Sequence, residues 1–218
     1  TNVRLFNQGT LSPLSGGNTN EVYKSLYDGI RAANFFLDYS ANFHEFLLRN
    51  RDTTTASSIV AFQNDSANIS WFRAEAHVAR AYYYSELIKR FGGVPIVNTV
   101  FNPSVVQDIP QSAYDDVVKF IVDEIDQHID SLQENWKTSD FKSNDGRFSR
   151  MSALALKSRV LLYAASPLHN PGGDKEKWKL AAAAAKEVMT TPGFHLALYG
   201  GGYGQLFQGS TPITGTNN

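Results

Sequence analysis

The sequence predicts a mostly α-helical protein built from stacked helical hairpins that are joined by loops of unequal length. Five segments carry apolar residues at three- and four-residue spacing, which is the period of an amphipathic helix. The alternation typical of a strand occurs only in short pieces, near 94–97 and 194–198. Glycine and proline pairs separate the helical segments and mark the loops between them.

Composition limits the classes of function. The 218 residues carry 20 basic and 21 acidic side chains, and 42% of them are apolar, which is typical of a globular chain. A formal net charge of −1 argues against a general nucleic-acid binder, which carries a basic surplus. The chain has no cysteine, and this excludes disulfides and thiolate chemistry.

Residues 1–20 are polar and turn-rich, and the helical scaffold is predicted to span 21–190. Thr19 or Asn20 can cap the first helix. Its inward positions are Val22, Leu26, Ile30, Ala33 and Leu37. A short helix near 43–48 follows, and we interpret the polar stretch 51–58 after it as loop.

The next helix has the strongest pattern. Its predicted apolar stripe is Phe72, Ala76, Ala79, Tyr83, Leu87 and Phe91, and Trp71, Ala74, Val78 and Ala81 are predicted to widen it. Gly92 and Gly93 end this helix, and the segment that contains Pro95 is extended because the residue before a proline disfavours helix. The aromatic run 82–84 is interpreted as packing, since consecutive helical side chains point in different directions.

Three more helices are predicted, over about 112–132, 150–165 and 175–189. The first has an apolar face and an acidic face, and we expect the acidic face, including Glu124, to be solvated. The last is expected to bury Trp178, Met189 and several alanines. Residues 191–218 are again loop-rich, so the chain is expected to be one helical domain, truncated at both ends.

Motifs for chemistry are absent or incomplete. The glycines of 200–204 lack the strand-to-helix context of a phosphate loop, and no nucleophile elbow occurs. The five histidines are far apart in sequence, and no two have the i, i+4 spacing that places two metal ligands on one helix face. Segment 140–146 lacks the spacing of a calcium loop. We therefore predict no catalytic residue, no metal and no cofactor.

Residues 71–97 resemble the signature of the SusD/RagB family, in which AEA-x-x-x-R-A-x-x-Y-x-x-L is followed by F-G-x-V-P. The matching positions are Ala74–Ala76, Arg80–Ala81, Tyr84, Leu87 and Phe91–Pro95. Further family elements are matched in the same order by Tyr27–Asn34, Tyr114–Asp126, Gly146–Tyr163, Trp178–Ala184 and Tyr199–Phe207. The resemblance covers about 20–207.

The resemblance implies an outer-membrane lipoprotein of Bacteroidetes with a scaffold of degenerate tetratricopeptide helices. Such proteins capture a glycan, or in some members a peptide, at the extracellular face. They deliver it to a SusC-like TonB-dependent transporter, which the tetratricopeptide face is implied to meet. No catalysis is implied, and the lipid anchor is expected on a cysteine upstream of Thr1.

The resemblance also implies roles for individual residues. Glu75, Arg80, Arg147 and Arg159 are expected to form structural ion pairs or hydrogen bonds, and Tyr84 and Pro95 to join helix to loop. Ligand contacts are implied in the lead-in 6–20. Its amide side chains suit sugar hydroxyls and are those of Asn7, Gln8, Asn18 and Asn20.

Two alternatives remain open at the level of sequence. A helical glycan-degrading enzyme would need two carboxylates facing each other across a sugar, and the sequence cannot place such a pair. A protein-interaction scaffold would bind the transporter barrel but no soluble nutrient. Release of reducing ends from a glycan favours the enzyme, and binding of the barrel alone favours the scaffold.

Overall fold

The computed structural model describes residues 17–101, 108–134, 136, 144 and 146–192. Within these residues the chain forms six α-helices and no strand, which confirms the predicted mostly α-helical class. The helices are α1 (Gly17–Tyr39), α2 (Phe43–Asn50), α3 (Ala56–Phe91), α4 (Tyr114–His128), α5 (Arg150–Ala165) and α6 (Lys175–Thr190). A 3-10 turn, Ile129–Ser131, continues α4. Along the stack α3 packs on α1 and α4, α4 also packs on α5, and α5 packs on α6.

The long helix α3 begins far earlier than its apolar stripe predicts. Its first turn is a capping box: the Ser58 N–H donates to Thr55 Oγ1 (3.2 Å), and the Thr55 N–H donates to Ser58 Oγ (3.1 Å). The predicted loop 51–58 therefore contains a helix start. The sequence pattern hid this start because residues 56–70 are nowhere fully buried, so their helical period carries no continuous apolar stripe.

The core lies around the second half of α3. Tyr84, rather than the predicted Tyr83, is fully buried at its centre, because α1 and α4 pack on α3 and cover a wider face than a single stripe. Gly29 allows α1 to approach closely, since a Cβ atom there would lie 2.6 Å from the Tyr83 ring. The buried apolar positions of α3 are Ala74, Val78, Ala81, Tyr84, Leu87 and Ile88.

Helix α6 buries less than predicted. Trp178 and Met189 are 46% and 65% exposed, and Ala181 and Ala184 are its buried residues. The prediction that Trp178 and Met189 are buried is wrong because α6 packs chiefly on α5 among the described residues, so one narrow alanine face is sufficient for the contact.

A buried polar junction joins α1, α3, α4 and the extended segment after Pro95. Arg80 Nε and Nη2 donate to Glu124 Oε2 (2.9 and 2.7 Å), and Nη1 donates to Asn34 Oδ1 (2.6 Å). Asn34 Nδ2 in turn donates to the carbonyl oxygens of Val97 (3.0 Å) and Thr99 (3.2 Å). The guanidinium thus fixes two other helices, and it holds the loop both through the Asn34 amide and through a bond from Nη1 to the Asn98 carbonyl oxygen (3.3 Å).

Glu124 is 9% exposed, so the expectation that it lies on a solvated face is wrong. Burial opposes ionisation of its carboxyl, but hydrogen bonding from His77 and the charge of Arg80 hold its pKa below the usual range. Its partners come from α3, which sequence periodicity on α4 alone cannot indicate. An ionised carboxylate at this depth needs such partners, because burying an unpaired charge is costly.

Tyr84 attaches the extended segment to α3. Its hydroxyl accepts the Val97 N–H (2.6 Å) and lies 3.2 Å from the Val97 carbonyl oxygen, to which it donates. Burial raises the pKa of Tyr84 to about 12, so the phenol stays neutral and can both donate and accept. Tyr27 of α1 adds a third bond by donating to the Pro95 carbonyl oxygen (2.7 Å).

Replacement of Gly93 by alanine is expected to destabilise the fold. A Cβ atom at Gly93 would collide with the main-chain carbonyl oxygen of Ser112, and a backbone atom cannot turn aside as a flexible side chain can. We expect Gly93→Ala to lower the free energy of unfolding in urea by about 1–3 kcal/mol. Gly172→Ala is the matched control, since nothing lies within 4 Å of a Cβ there. Equal effects of the two variants would contradict the clash.

Removal of the Arg80 charge is expected to cost far more than removal of an exposed one. Arg80→Met leaves Glu124 buried and without its cation, so we expect unfolding free energy to fall by about 3–5 kcal/mol. The control is Lys119→Met, which breaks the exposed Lys119–Asp123 pair and should cost less than about 0.5 kcal/mol. Urea denaturation measures both, and a loss below about 1 kcal/mol for Arg80→Met would show that the junction contributes little.

Candidate functional site

A cavity of about 410 Å³ lies between α1 and the segment that follows Pro95. One wall is a single face of α1 and the other is the segment 97–101. Most of its surface is apolar or aromatic, with a few polar groups, which is the usual character of a small-molecule site. The lining residues are Tyr23, Lys24, Tyr27, Asp28, Ile30, Arg31, Asn34, Val97, Thr99, Val100 and Phe101.

The α1 wall follows from helical spacing. Tyr23, Tyr27, Arg31 and Asn34 are separated by four, four and three residues, so they share one face of the helix. The exposed Asn20 stands one turn before Tyr23 and extends this face towards the helix N-terminus. The helix therefore presents aromatic, amide and cationic groups in one line.

The aromatic groups supply flat apolar surface. The rings of Tyr23 and Tyr27 lie 4.8 Å apart at an angle of 43°, and both are partly buried. Phe101 stands on the opposite wall and is 36% exposed. Burial raises the pKa of Tyr27, so its hydroxyl stays protonated and keeps its bond to the Pro95 carbonyl oxygen. Exposed ring faces of this kind offer stacking surface to an apolar ring face of a ligand.

The rim of the cavity is charged. Lys24 Nζ lies 2.7 Å from Asp28 Oδ2 in an exposed i, i+4 pair. The Arg31 guanidinium lies over the Phe35 ring, with its carbon 5.1 Å from the ring centre. These groups can donate to and accept from ligand hydroxyls without losing any bond that the buried junction needs.

Two histidines that are far apart in sequence meet beside the junction. The rings of His77 and His128 stack with centres 3.5 Å apart and planes 17° from parallel, and His77 Nδ1 lies 3.0 Å from Glu124 Oε2. The sequence missed the pair because the two residues belong to different helices, although Glu124 and His128 have the i, i+4 spacing.

His77, Glu124 and His128 offer ligand atoms that lie within 4.8 Å of one another, and imidazole and carboxylate groups can bind a transition metal. An ion bound to imidazole lies in the plane of the ring. Two nearly parallel planes 3.5 Å apart share no position close to both nitrogens. The Oε2 atom of the Glu124 carboxylate already accepts two hydrogen bonds from Arg80. The cluster is therefore a stacked, hydrogen-bonded pair rather than a preformed set of metal ligands.

The other residues singled out from the family motif lie outside the cavity. Arg147 makes two hydrogen bonds to the Glu75 carboxylate, with Nε donating to Oε1 at 3.0 Å and Nη2 donating to Oε2. Its guanidinium also stands over the rings of Phe72 (4.6 Å) and Trp136 (4.2 Å). Arg159 Nη2 lies 3.7 Å from an oxygen of Glu86. These contacts connect elements of the scaffold, and none of Glu75, Arg147 and Arg159 lines the cavity beside α1.

The predicted ligand-contacting amides are only partly placed. Asn7 and Gln8 lie outside the described residues, as do the glycine run 200–204 and most of segment 140–146. Asn18 and Asn20 belong to the first turn of α1, which begins at Gly17 rather than near Asn20. Tyr23 and Phe101 were not singled out from the sequence. The signal for Tyr23 was its four-residue spacing from Tyr27, whereas nothing local indicates that Phe101 faces α1.

Solved structures share this fold. A SusD homologue from Bacteroides thetaiotaomicron is 26% identical, with a TM-score of 0.64, over 85% of this chain and 32% of its own. A laminarin-binding SusD-like protein is 28% identical, with a TM-score of 0.54, over 79% of this chain and 30% of its own. A surface glycan-binding protein from Bacteroides uniformis also shares the fold. It is 21% identical, with a TM-score of 0.54, over 81% of this chain and 33% of its own. The chain thus spans about a third of the length of these proteins.

No curated protein matches the chain. Among the described residues, none of the helices combines the length and the hydropathy that crossing a membrane requires.

A family model matches residues 8–162, which is more than two thirds of the chain. The model is that of a SusD-like family described as starch-binding and associating with the outer membrane. The match includes α1 to α4, the extended segment and most of α5, so it contains both walls of the cavity and the buried junction. The chain belongs to the SusD-like family.

Proposed function

We propose that this chain is the helical part of a surface glycan-binding protein that captures an oligosaccharide and delivers it to a SusC-like TonB-dependent transporter. The match of residues 8–162 to the SusD-like family carries the proposal. The laminarin-binding relative, at 28% identity, supports a soluble glycan as the ligand. An oligopeptide is the second ligand class that the family resemblance allows.

The proposed role is binding without chemistry. The relatives are carbohydrate-binding proteins, and a binding role requires only shape, stacking and hydrogen bonds. The cavity beside α1 offers these: flat rings on both walls, the Asn34 amide in the helix wall and charged groups at the rim. We propose that the ligand binds there and that Asn7, Gln8, Asn18 and Asn20 contact it.

The proposed location is the extracellular face of the outer membrane, with attachment through a lipid upstream of Thr1. The family description, which includes association with the outer membrane, supports this location. The proposed transporter contact is the outer surface of α5 and α6. Large apolar side chains that are exposed there among the described residues support it: Leu162, Tyr163, Leu168, Trp178, Leu180 and Met189.

Glycan binding is tested by calorimetric titration of the 218-residue chain with laminarin and with soluble starch. We expect one of them to bind, and we expect Phe101→Ala to weaken binding about two- to tenfold, because a lost stacking contact costs about 0.5–1.5 kcal/mol. Asn20→Ala should also weaken it. Phe46→Ala and Asn64→Ala are matched controls, being exposed residues of the same types on α2 and α3.

The outcomes distinguish whether the chain binds a glycan from where on the chain the glycan binds. Unchanged affinity in Phe101→Ala and Asn20→Ala would refute the cavity as the site but leave glycan binding intact. No heat with either glycan would count against a glucan ligand. Release of reducing ends during incubation would favour the enzyme alternative instead.

The transporter contact is tested by recovery of the tagged chain with detergent-solubilised outer membranes. We expect a TonB-dependent barrel in the eluate, and we expect Trp178→Ser to reduce its recovery because an exposed apolar anchor is lost. Phe46→Ser is the control, since Phe46 is also an exposed aromatic residue but lies on α2. Equal barrel recovery with both variants would refute the α5–α6 surface, and no barrel with the unmodified chain would refute the partner.

A further inference from the structure

The stacked histidines lie at one end of a hydrogen-bonded path that ends at the cavity wall. His77 bonds to Glu124, Glu124 accepts from Arg80, and Arg80 donates to Asn34. Asn34 lines the cavity and holds the carbonyl oxygens of Val97 and Thr99, which belong to its opposite wall. Three side chains, those of Glu124, Arg80 and Asn34, thus connect the histidines to the cavity wall by hydrogen bonds.

The charges around His128 make this end sensitive to protons. Arg73, His77 and Arg80 face it from α3, and Glu124 faces it from its own helix. Helix α1 presents the neutral amide of Asn34 to the junction. The Glu124 carboxylate already balances the buried Arg80 guanidinium. A protonated His128 would add a second positive charge, in contact with the His77 ring.

We propose that protonation of His128 in mild acid separates the two rings, weakens the Glu124–Arg80–Asn34 path and loosens the cavity wall at Val97–Thr99. The glycan part of this inference, weaker binding in acid, rests on the function proposed above. The loosening of the wall does not, because it concerns bonds within this chain.

The direction of the pH effect follows from the folded and unfolded states. Burial and the neighbouring His77 lower the pKa of His128 to about 4, against 6.5 for a free histidine. The unfolded or opened chain therefore binds more protons than the closed one between these values. The stabilising contribution of the closed pair is complete above about pH 6.5 and declines as the pH falls towards 4.

The experiment measures the histidines and the wall separately. Proton–carbon spectra of the imidazole rings give the pKa of each histidine in the 218-residue chain. Hydrogen exchange of the Val97 amide reports the wall, because this N–H donates to Tyr84. From pH 7 to pH 4.5 we expect its protection factor, after correction for intrinsic exchange, to fall by about tenfold or more.

His128→Phe is the decisive variant, since a phenyl ring can stack on His77 but cannot gain a proton. We expect its Val97 protection to change less than threefold over the same range. The amide of Ser58, in the capping box at the far end of α3, is the internal control and should not respond in either protein. Circular dichroism at both pH values verifies that the variant is folded, and His128→Gln replaces it if it is not.

Three results would overturn the proposal. They are a measured His128 pKa of 6.5 or higher, Val97 protection that does not change with pH in the unmodified chain, and an equal change in His128→Phe. Calorimetry with laminarin or starch at pH 7 and pH 4.5 then tests the glycan part. If no glycan binds at either pH, the proposed function fails, while the exchange data still decide whether the pair controls the wall.

Discussion

The hydrogen-bonded pair of Arg80 and Glu124 is the constraint on which the arrangement of α1, α3 and α4 depends. Both side chains are nearly removed from water, at 5% and 11% exposure, and their burial is tolerable only when every strong donor and acceptor is matched. The matching groups come from α1, α3, α4 and the loop after α3. Several arrangements of helices can satisfy apolar packing, whereas only one arrangement can form this set of hydrogen bonds.

The same constraint explains why a cavity forms beside α1. An extended segment has no internal hydrogen bonds, so residues 94–99 must obtain partners from the helices that they cross. Tyr27, Tyr84 and Asn34 provide them. These bonds hold the segment at a fixed distance from α1, and the side chains that project between the two walls leave space rather than closing it. The cavity thus results from the hydrogen bonds that hold the loop beside α1, and not from a packing defect in the core.

Local signals were sufficient for part of this fold. The bounds of α5 agree with the prediction because Ser149 caps its start and Ser166 and Pro167 stop it. The motif around Arg80 indicated the family before any contact was known. Features that depend on a partner from another element were missed: the buried Glu124, the stacked histidines and the position of Phe101. Exposed ends such as 56–70 were missed because helical periodicity is visible only where one face is buried.

The charged rim of the cavity shares no bonds with the buried junction in the described structure, and this bears on the choice of the ligand proposed above. Lys24, Asp28 and Arg31 stand at the rim, and none of their hydrogen bonds or ion pairs in the described structure reaches Arg80, Glu124 or Asn34. Substitutions there alter the charge and hydrogen bonding offered to a ligand at little cost to stability, since exposed pairs contribute little. A change at Asn34 would alter both the wall and the junction. Specificity can therefore diversify at the rim of this scaffold while the buried charges that position the walls stay unchanged.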